Sequence, residues 1–241
     1  MNRRGFLKEA AASALSCAML AACAQRYARL RYRLRVVVEI EGRQYEGASV
    51  VQTEFADYRG SYWRLPEMPE IESTSWGEAV IVDLREHGLL FGLLLHPDGA
   101  GAFNGKQPIN ALSRCLEPAR RSVRENLLTD ILALQGECEL RQSDQPALVH
   151  FRNIADPSSV ELVEPGRFSE VYGPDAGFVR ATIAVTNDPV TEAIDRTLPW
   201  LAKLAAPGNT LVGKLPPGFR IASEMALPQR LTVRNFKLSG E

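Results

Sequence analysis

Alternation of apolar and polar residues is the clearest pattern in the chain. In RYRLRVVVEI, residues 31–40, the apolar positions fall on every second residue. These positions are Tyr32, Leu34, Val36, Val38 and Ile40. A period of two is typical of a half-buried β-strand. EGRQ, which follows, is turn-like, and YEGASVVQTEF predicts the returning strand of a hairpin.

The same reasoning predicts further strands along the chain. GEAVIVDL and LLFGLLL flank REHG, residues 85–88, and indicate a second, more deeply buried hairpin. Strands are also predicted in ALVHFRNI, VELVEP, FVRATIAVTN and, at the end of the chain, QRLTVRNFKL.

Two segments show helical spacing instead. Residues 119–135 place Val123, Leu127, Ile131 and Leu134 on one face, with charges between them. Residues 188–204 carry a similar apolar stripe, and Asp188 is placed to cap that helix. The predicted fold class is α+β, with mostly antiparallel β-hairpins and two amphipathic helices.

The first residues predict an export signal whose helix lies outside this fold. Ala10–Ala24 is an apolar run of 15 residues, whereas a membrane-spanning helix needs about 20. NRRGFLK resembles the twin-arginine export signal, and it matches that signal at Arg3, Arg4, Phe6, Leu7 and Lys8. The alternative is an ordinary secretory signal with a basic start.

Leu20–Cys23, LAAC, resembles the lipobox of bacterial lipoproteins. The resemblance implies that Cys23 is lipidated, and that an acyl anchor binds the protein to membrane lipid at the outer (or inner) membrane. The alternative is ordinary cleavage after Ala24. The predicted organisation is a signal peptide at 1–22, a short tether at 23–30 and one α+β domain at 31–241.

Composition narrows the function classes. The chain has 45% hydrophobic residues, 24% charged residues and a net charge of -1, which makes nucleic acid a poor partner. Three histidines and no metal-binding or nucleotide-binding motif predict no metal and no cofactor. Two cysteines lie in the body, Cys115 and Cys138. In an exported protein they are either one disulfide or two buried thiols.

Residues 57–76 form a proline-containing, aromatic segment that predicts a long loop. Its large aromatic residues are Tyr58, Tyr62, Trp63 and Trp76. They either line a ligand groove or pack onto the sheet.

The body resembles a family of bacterial envelope proteins without an assigned activity. The motifs that carry the resemblance are GEAVIVDL, FRNIADPSSVELVEP and ATIAVTNDPVTEAIDRTLPWL, and the likeness covers residues 31–205. Because these motifs consist of strands, turns and a helix, the resemblance supplies no functional residue.

Two functions follow from the sequence. The first is an exported, lipid-anchored envelope protein with a non-enzymatic binding or scaffolding role. The alternative is a periplasmic hydrolase that uses a loop serine with His87 or His96 as base. The candidate nucleophiles are Ser61, Ser73 and Ser75. No GxSxG motif accompanies them.

Overall fold

A computed structural model of the chain describes residues 26–57, 65, 71–97, 108–116, 127–215 and 224–240. The predicted signal peptide and residues 23–25 of the predicted tether lie outside these residues. Residues 26–30 of that tether are instead the start of a β-strand that begins at Arg26, so the predicted domain boundary at residue 31 was wrong. The chain divides into two compact units, Met1–Arg29 with Glu54–Thr74, and Leu30–Thr53 with Ser75–Glu241. In the first unit, an ion pair joins Arg29 and Glu54 at 2.8 Å. The strands Arg26–Ile40, Arg43–Asp57 and Ile71–Glu78 each have residues in both units, and the cleft described as the candidate site is lined by residues of the second unit alone.

The described residues form strands in three sheets, together with short helices. The strands are β1 Arg26–Ile40, β2 Arg43–Asp57, β3 Ile71–Glu78, β4 Val80–Asp83, β5 Leu89–Gly92, β6 Cys138–Glu139, β7 Leu148–Phe151, β8 Val160–Leu162, β9 Gly177–Val185, β10 Asn209–Thr210, β11 Gly213–Lys214 and β12 Lys237–Ser239. The α-helices are α1 Pro108–Ser113, α2 Leu127–Leu132, α3 Phe168–Tyr172, α4 Ile194–Thr197, α5 Leu227–Arg230 and α6 Val233–Phe236. This mixture of mostly antiparallel strands and helices confirms the predicted α+β class.

The largest sheet has the strand order β12-β3-β2-β1-β9-β6. The alternation predicted for β1 is confirmed, since Leu34, Val36 and Val38 are completely buried. The arginines on the opposite face have partners on neighbouring segments. The guanidinium of Arg35 lies 3.1 Å from Glu137, and that of Arg31 donates to Gln52 at 2.9 Å. The arginines of this face are therefore bound to carboxylate and amide groups.

A second sheet has the strand order β4-β5-β7-β8. The predicted β4–β5 hairpin is confirmed, with a 3₁₀ turn at Arg85–His87. On one side of β5, Phe91 packs into a cluster with α4, the 3₁₀ turn Leu201–Leu204 and Phe236. On its other side Gly92 faces β1, where an added Cβ would lie 3.4 Å from Val36. Alternating side chains of one strand thus contribute to two separate parts of the core.

Glycine is required where β2 passes over β4. A Cβ on Gly47 would lie 2.1 Å from the carbonyl oxygen of Ile81. Any side chain at this position would therefore force the two backbones apart.

The helix predicted over residues 188–204 is much shorter in the structure. Thr191 exchanges two hydrogen bonds with Val50 of β2, so the backbone before residue 194 is bonded to the sheet. Asp188, the predicted cap, pairs with Arg33 instead. Helix α4 ends at Thr197 because the proline after Leu198 excludes Leu198 from the helical region. The prediction of a long capped helix was wrong.

Three other predicted elements differ from the structure or include residues outside the described ranges. The end of the predicted loop 57–76 is part of β3, which begins at Ile71. In the predicted final strand, Thr232 and Asn235 bond to each other and form the helical turn α6, so that only 237–239 are strand. Of the predicted helix 119–135, residues 127–132 form α2, and residues 119–126 lie outside the described residues. No helix within the described residues is long and apolar enough to cross a bilayer.

Helix α1 and strand β6 are linked by a disulfide. Cys115, just after α1, is bonded to Cys138 in β6. The neighbouring Arg114 forms an ion pair with Asp144, and Asp144 is only 3% exposed. A covalent link and a partly buried ion pair therefore connect the same two regions.

Replacing both cysteines, as Cys115→Ala with Cys138→Ala, should lower the free energy of unfolding by about 3 kcal/mol, because the unfolded chain would lose a closed loop. Denaturant titration of oxidised wild type, reduced wild type and the double variant measures this. Reduced wild type should behave like the double variant. Equal midpoints for all three would show that the link does not stabilise the fold.

Tyr32 of β1 is a buried phenol. It is 3% exposed, and burial raises its pKa well above the ordinary value of 10.0 despite a hydrogen bond to Thr53. Above pH 10 the unfolded chain loses this proton while the folded chain retains it. Deprotonation therefore favours unfolding as the pH rises.

The free energy of unfolding should fall between pH 8 and pH 11, and Tyr32→Phe should weaken that fall by about 1 kcal/mol. Urea titrations of both proteins at the two pH values measure the difference. At pH 8 the variant should already be slightly less stable, because the bond to Thr53 is lost. An identical pH dependence in both proteins would contradict the role of Tyr32.

Candidate functional site

A cleft of about 470 Å³ lies where β3, β12 and the segment before α4 meet. It is lined by residues 76–78, 190–193, 195–196 and 237–239, and is called the β3–β12 cleft below. β3 and β12 are antiparallel neighbours, with Glu78 opposite Lys237. The third wall is the segment that Thr191 ties to β2. Three distant parts of the chain therefore build one concave surface.

Glu78 is the central residue of this cleft. Its side chain is only 4% exposed. The carboxylate oxygen Oε2 accepts hydrogen bonds from the backbone amides of Ala193 and Ile194, the latter at 2.8 Å. A buried carboxylate needs such partners because desolvation disfavours its charge. Glu78 thereby positions the first turn of α4 against β3.

Lys237 carries the opposite charge across the strand pair. Its Nζ donates a hydrogen bond to Asp195 and lies 3.7 Å from Oε1 of Glu78. The hydrogen bond to Asp195 raises the pKa of the Lys237 ammonium, and nearby Glu78 contributes to this rise. Because its charged form is favoured, Lys237 is a cation in the folded protein at neutral pH.

The rim of the cleft carries two further charges. Glu192 and Arg196 are exposed and four residues apart, and Arg196 donates to the backbone oxygen of Glu192 at 3.4 Å. Trp76 contributes a half-buried indole that packs against Gly240, where no Cβ fits. The cleft therefore combines carboxylates, an ammonium, a guanidinium and an aromatic ring.

The structure separates the aromatic residues that the sequence grouped in one loop. Trp76 lies on β3 and lines the cleft, as the ligand-groove interpretation requires. Tyr58, Tyr62 and Trp63 lie outside the described residues. Whether they approach a ligand stays a prediction.

The hydrolase alternative gains no support from the described residues. The hydroxyl of Ser75 is hydrogen-bonded to that of Thr53 at 2.9 Å, and the ring of His87 lies 3.9 Å from Glu86. His96 lines a different, smaller cleft of about 300 Å³ together with Glu164. Ser73 belongs to the first unit, and Ser61 lies outside the described residues. No serine of the described chain forms a hydrogen bond with His87.

Within the described ranges, no group of three or more His, Cys, Asp or Glu residues has the arrangement of a metal site.

Comparison with protein-family models gave no match, and neither did comparison with curated proteins or with solved structures.

Sequence reasoning missed Glu78, Asp195 and Lys237. Glu78 lies in the motif GEAVIVDL, at a position where strand burial and a charged residue conflict. A charged residue at the start of a buried strand is a signal that it has partners elsewhere. The sequence does not show that those partners lie more than 100 residues away.

Glu78→Gln should lower the free energy of unfolding by about 2 kcal/mol, because charge-assisted hydrogen bonds to two backbone amides become neutral ones. Glu192→Gln is the matched control, since this exposed residue lines the same cleft and should change stability by less than about 0.5 kcal/mol. Chemical denaturation of the three proteins tests this. Equal losses in both variants would show that Glu78 does not hold α4 in place.

Proposed function

We propose that this protein is an exported, lipid-anchored component of the bacterial cell envelope with a non-enzymatic binding role, and that it binds its ligand in the β3–β12 cleft. The observation that carries the binding role is the buried carboxylate of Glu78 in an open, charged cleft. Clefts with a few convergent polar groups are the usual form of a ligand site.

The export part of the proposal rests on the N-terminal pattern. Arg3 and Arg4 direct the chain to the twin-arginine pathway, and Cys23 carries the acyl anchor. The Cys115–Cys138 disulfide supports this assignment, because disulfides persist in oxidising compartments such as the periplasm.

The anchor places the binding domain close to the membrane. Strand β1 begins at Arg26, three residues after Cys23, so the body remains near the lipid surface. The arginines of β1 are paired with carboxylates and amides, as described above for Arg31 and Arg35. Attachment is therefore assigned to the acyl chains rather than to contacts of this sheet with headgroups.

Replacing Cys23 with Ser should move the protein out of the membrane fraction and abolish the lipid mass on its N-terminus. Cys17→Ser is the matched control, because Cys17 precedes the processing site and should leave both unchanged. Fractionation and mass spectrometry of the mature N-terminus measure the result. An unlipidated mature protein that begins at Gln25 would overturn the anchor.

Export has its own test. Arg3→Lys with Arg4→Lys should leave the precursor in the cytoplasm, since the translocation receptor reads the paired arginines. Normal export of this variant would assign the protein to the general secretory route.

A further inference from the structure

We propose that the β3–β12 cleft recognises a primary ammonium group, so that its ligand is an organic amine. This inference rests on the proposed binding function and adds the chemical class of the ligand.

The cleft already holds one ammonium group. Nζ of Lys237 donates to Asp195 and lies near Oε1 of Glu78. The side chain of Asp195 is 54% exposed and that of Lys237 is 34% exposed, so solvent reaches this pair from the open side. An amine in solution can therefore reach the same carboxylate.

Glu78 has acceptor capacity that the fold uses only in part, since Oε1 is in an ion pair with Lys237 but accepts no backbone hydrogen bond among the described residues. Both backbone hydrogen bonds go to Oε2. Oε1 is 3.7 Å from Lys237, which is longer than a hydrogen bond. The side chain of Glu78 is 4% exposed and lines the cleft, so a further donor from a ligand would complete its hydrogen bonding. An ammonium group brings three such donors.

The charges of the lining favour a cation over an anion. Glu78, Glu192 and Asp195 oppose Lys237 and Arg196, which leaves the lining with one excess negative charge. Lys237 is shared by two of the carboxylates, and the carboxylate of Glu192 has no partner among the described residues. Trp76 adds an aromatic surface, and indole rings attract cations and apolar chains alike.

The ammonium group of Lys237 then competes with the ligand amine for the carboxylate of Asp195. A ligand amine that bonds to Asp195 must displace the Lys237 ammonium or share the carboxylate with it. The apparent affinity of the wild-type protein is then lowered by the fraction of molecules in which Lys237 occupies the position.

The first experiment is isothermal titration of the full-length protein in detergent with three small probes. n-Butylammonium should bind, while butyrate and glucose should not. Asp195→Asn and Glu192→Gln should each weaken n-butylammonium binding by about tenfold, because a charge-assisted hydrogen bond is lost. Glu86→Gln, outside the cleft, should have no effect.

The second experiment removes the competitor. Lys237→Ala should bind n-butylammonium about tenfold more tightly than wild type, and the amine should raise its melting temperature. Lys203→Ala, an exposed lysine outside the cleft, is the matched control. Lys237→Met retains the alkyl chain and provides the same measurement if the alanine variant does not fold.

The outcomes separate this inference from the proposed function. Binding of butyrate or glucose in place of the amine would overturn the ammonium class and leave a binding cleft. Amine binding that is insensitive to Asp195→Asn and to both Lys237 variants would place it elsewhere and also overturn the inference. Loss of lipidation at Cys23 would affect only the anchor.

Discussion

The buried carboxylate of Glu78 is the constraint on which the cleft and the packing around it depend. A charge in that position is stable only if the protein supplies the hydrogen bonds that water no longer provides. The backbone amides of residues 193 and 194 supply them on one oxygen, and Lys237 balances the charge from the neighbouring strand. One side chain therefore connects β3, α4 and β12, which are far apart in the sequence, and any ligand in the cleft meets the same group.

Close approach of the two larger sheets is the second requirement. The chain passes from β3 to β4 through Ala79 alone, whose amide bonds to the carbonyl of Phe236 at 2.7 Å. This leaves little room between the sheets, which explains the glycines at 47 and 92. Ala79 directly follows Glu78 in the chain. The residue that connects the two sheets is therefore the immediate neighbour of the central residue of the cleft. The backbone bond at Phe236 holds β12 in place, and β12 carries Lys237 into the cleft.

The strands were largely predictable from the sequence, whereas the helices and the site were not. Alternation in β1 and the apolar runs of β4 and β5 are local signals that depend only on which face is buried. The segment 188–193 has helical spacing and a good cap, yet its backbone bonds to β2. Hydrogen bonds between Thr191 and strand β2 are a tertiary interaction, and local helix propensity does not include such interactions. In place of the long predicted helix, the structure therefore has the single helical turn α4.

The sequence alone determined the α+β class and most strand positions, and it contains the motifs on which the proposal of export and lipidation rests. These depend on side-chain periodicity or on short motifs that are read in order along the chain. Only the tertiary structure decided that Cys115 meets Cys138 and that Glu78, Asp195 and Lys237 share one cleft. The reason is physical: pairing of charges and of thiols depends on distances in space, and residues 23 apart, such as the two cysteines, or more than 100 apart, such as Glu78 and Ile194, show no local sequence pattern that reports this proximity.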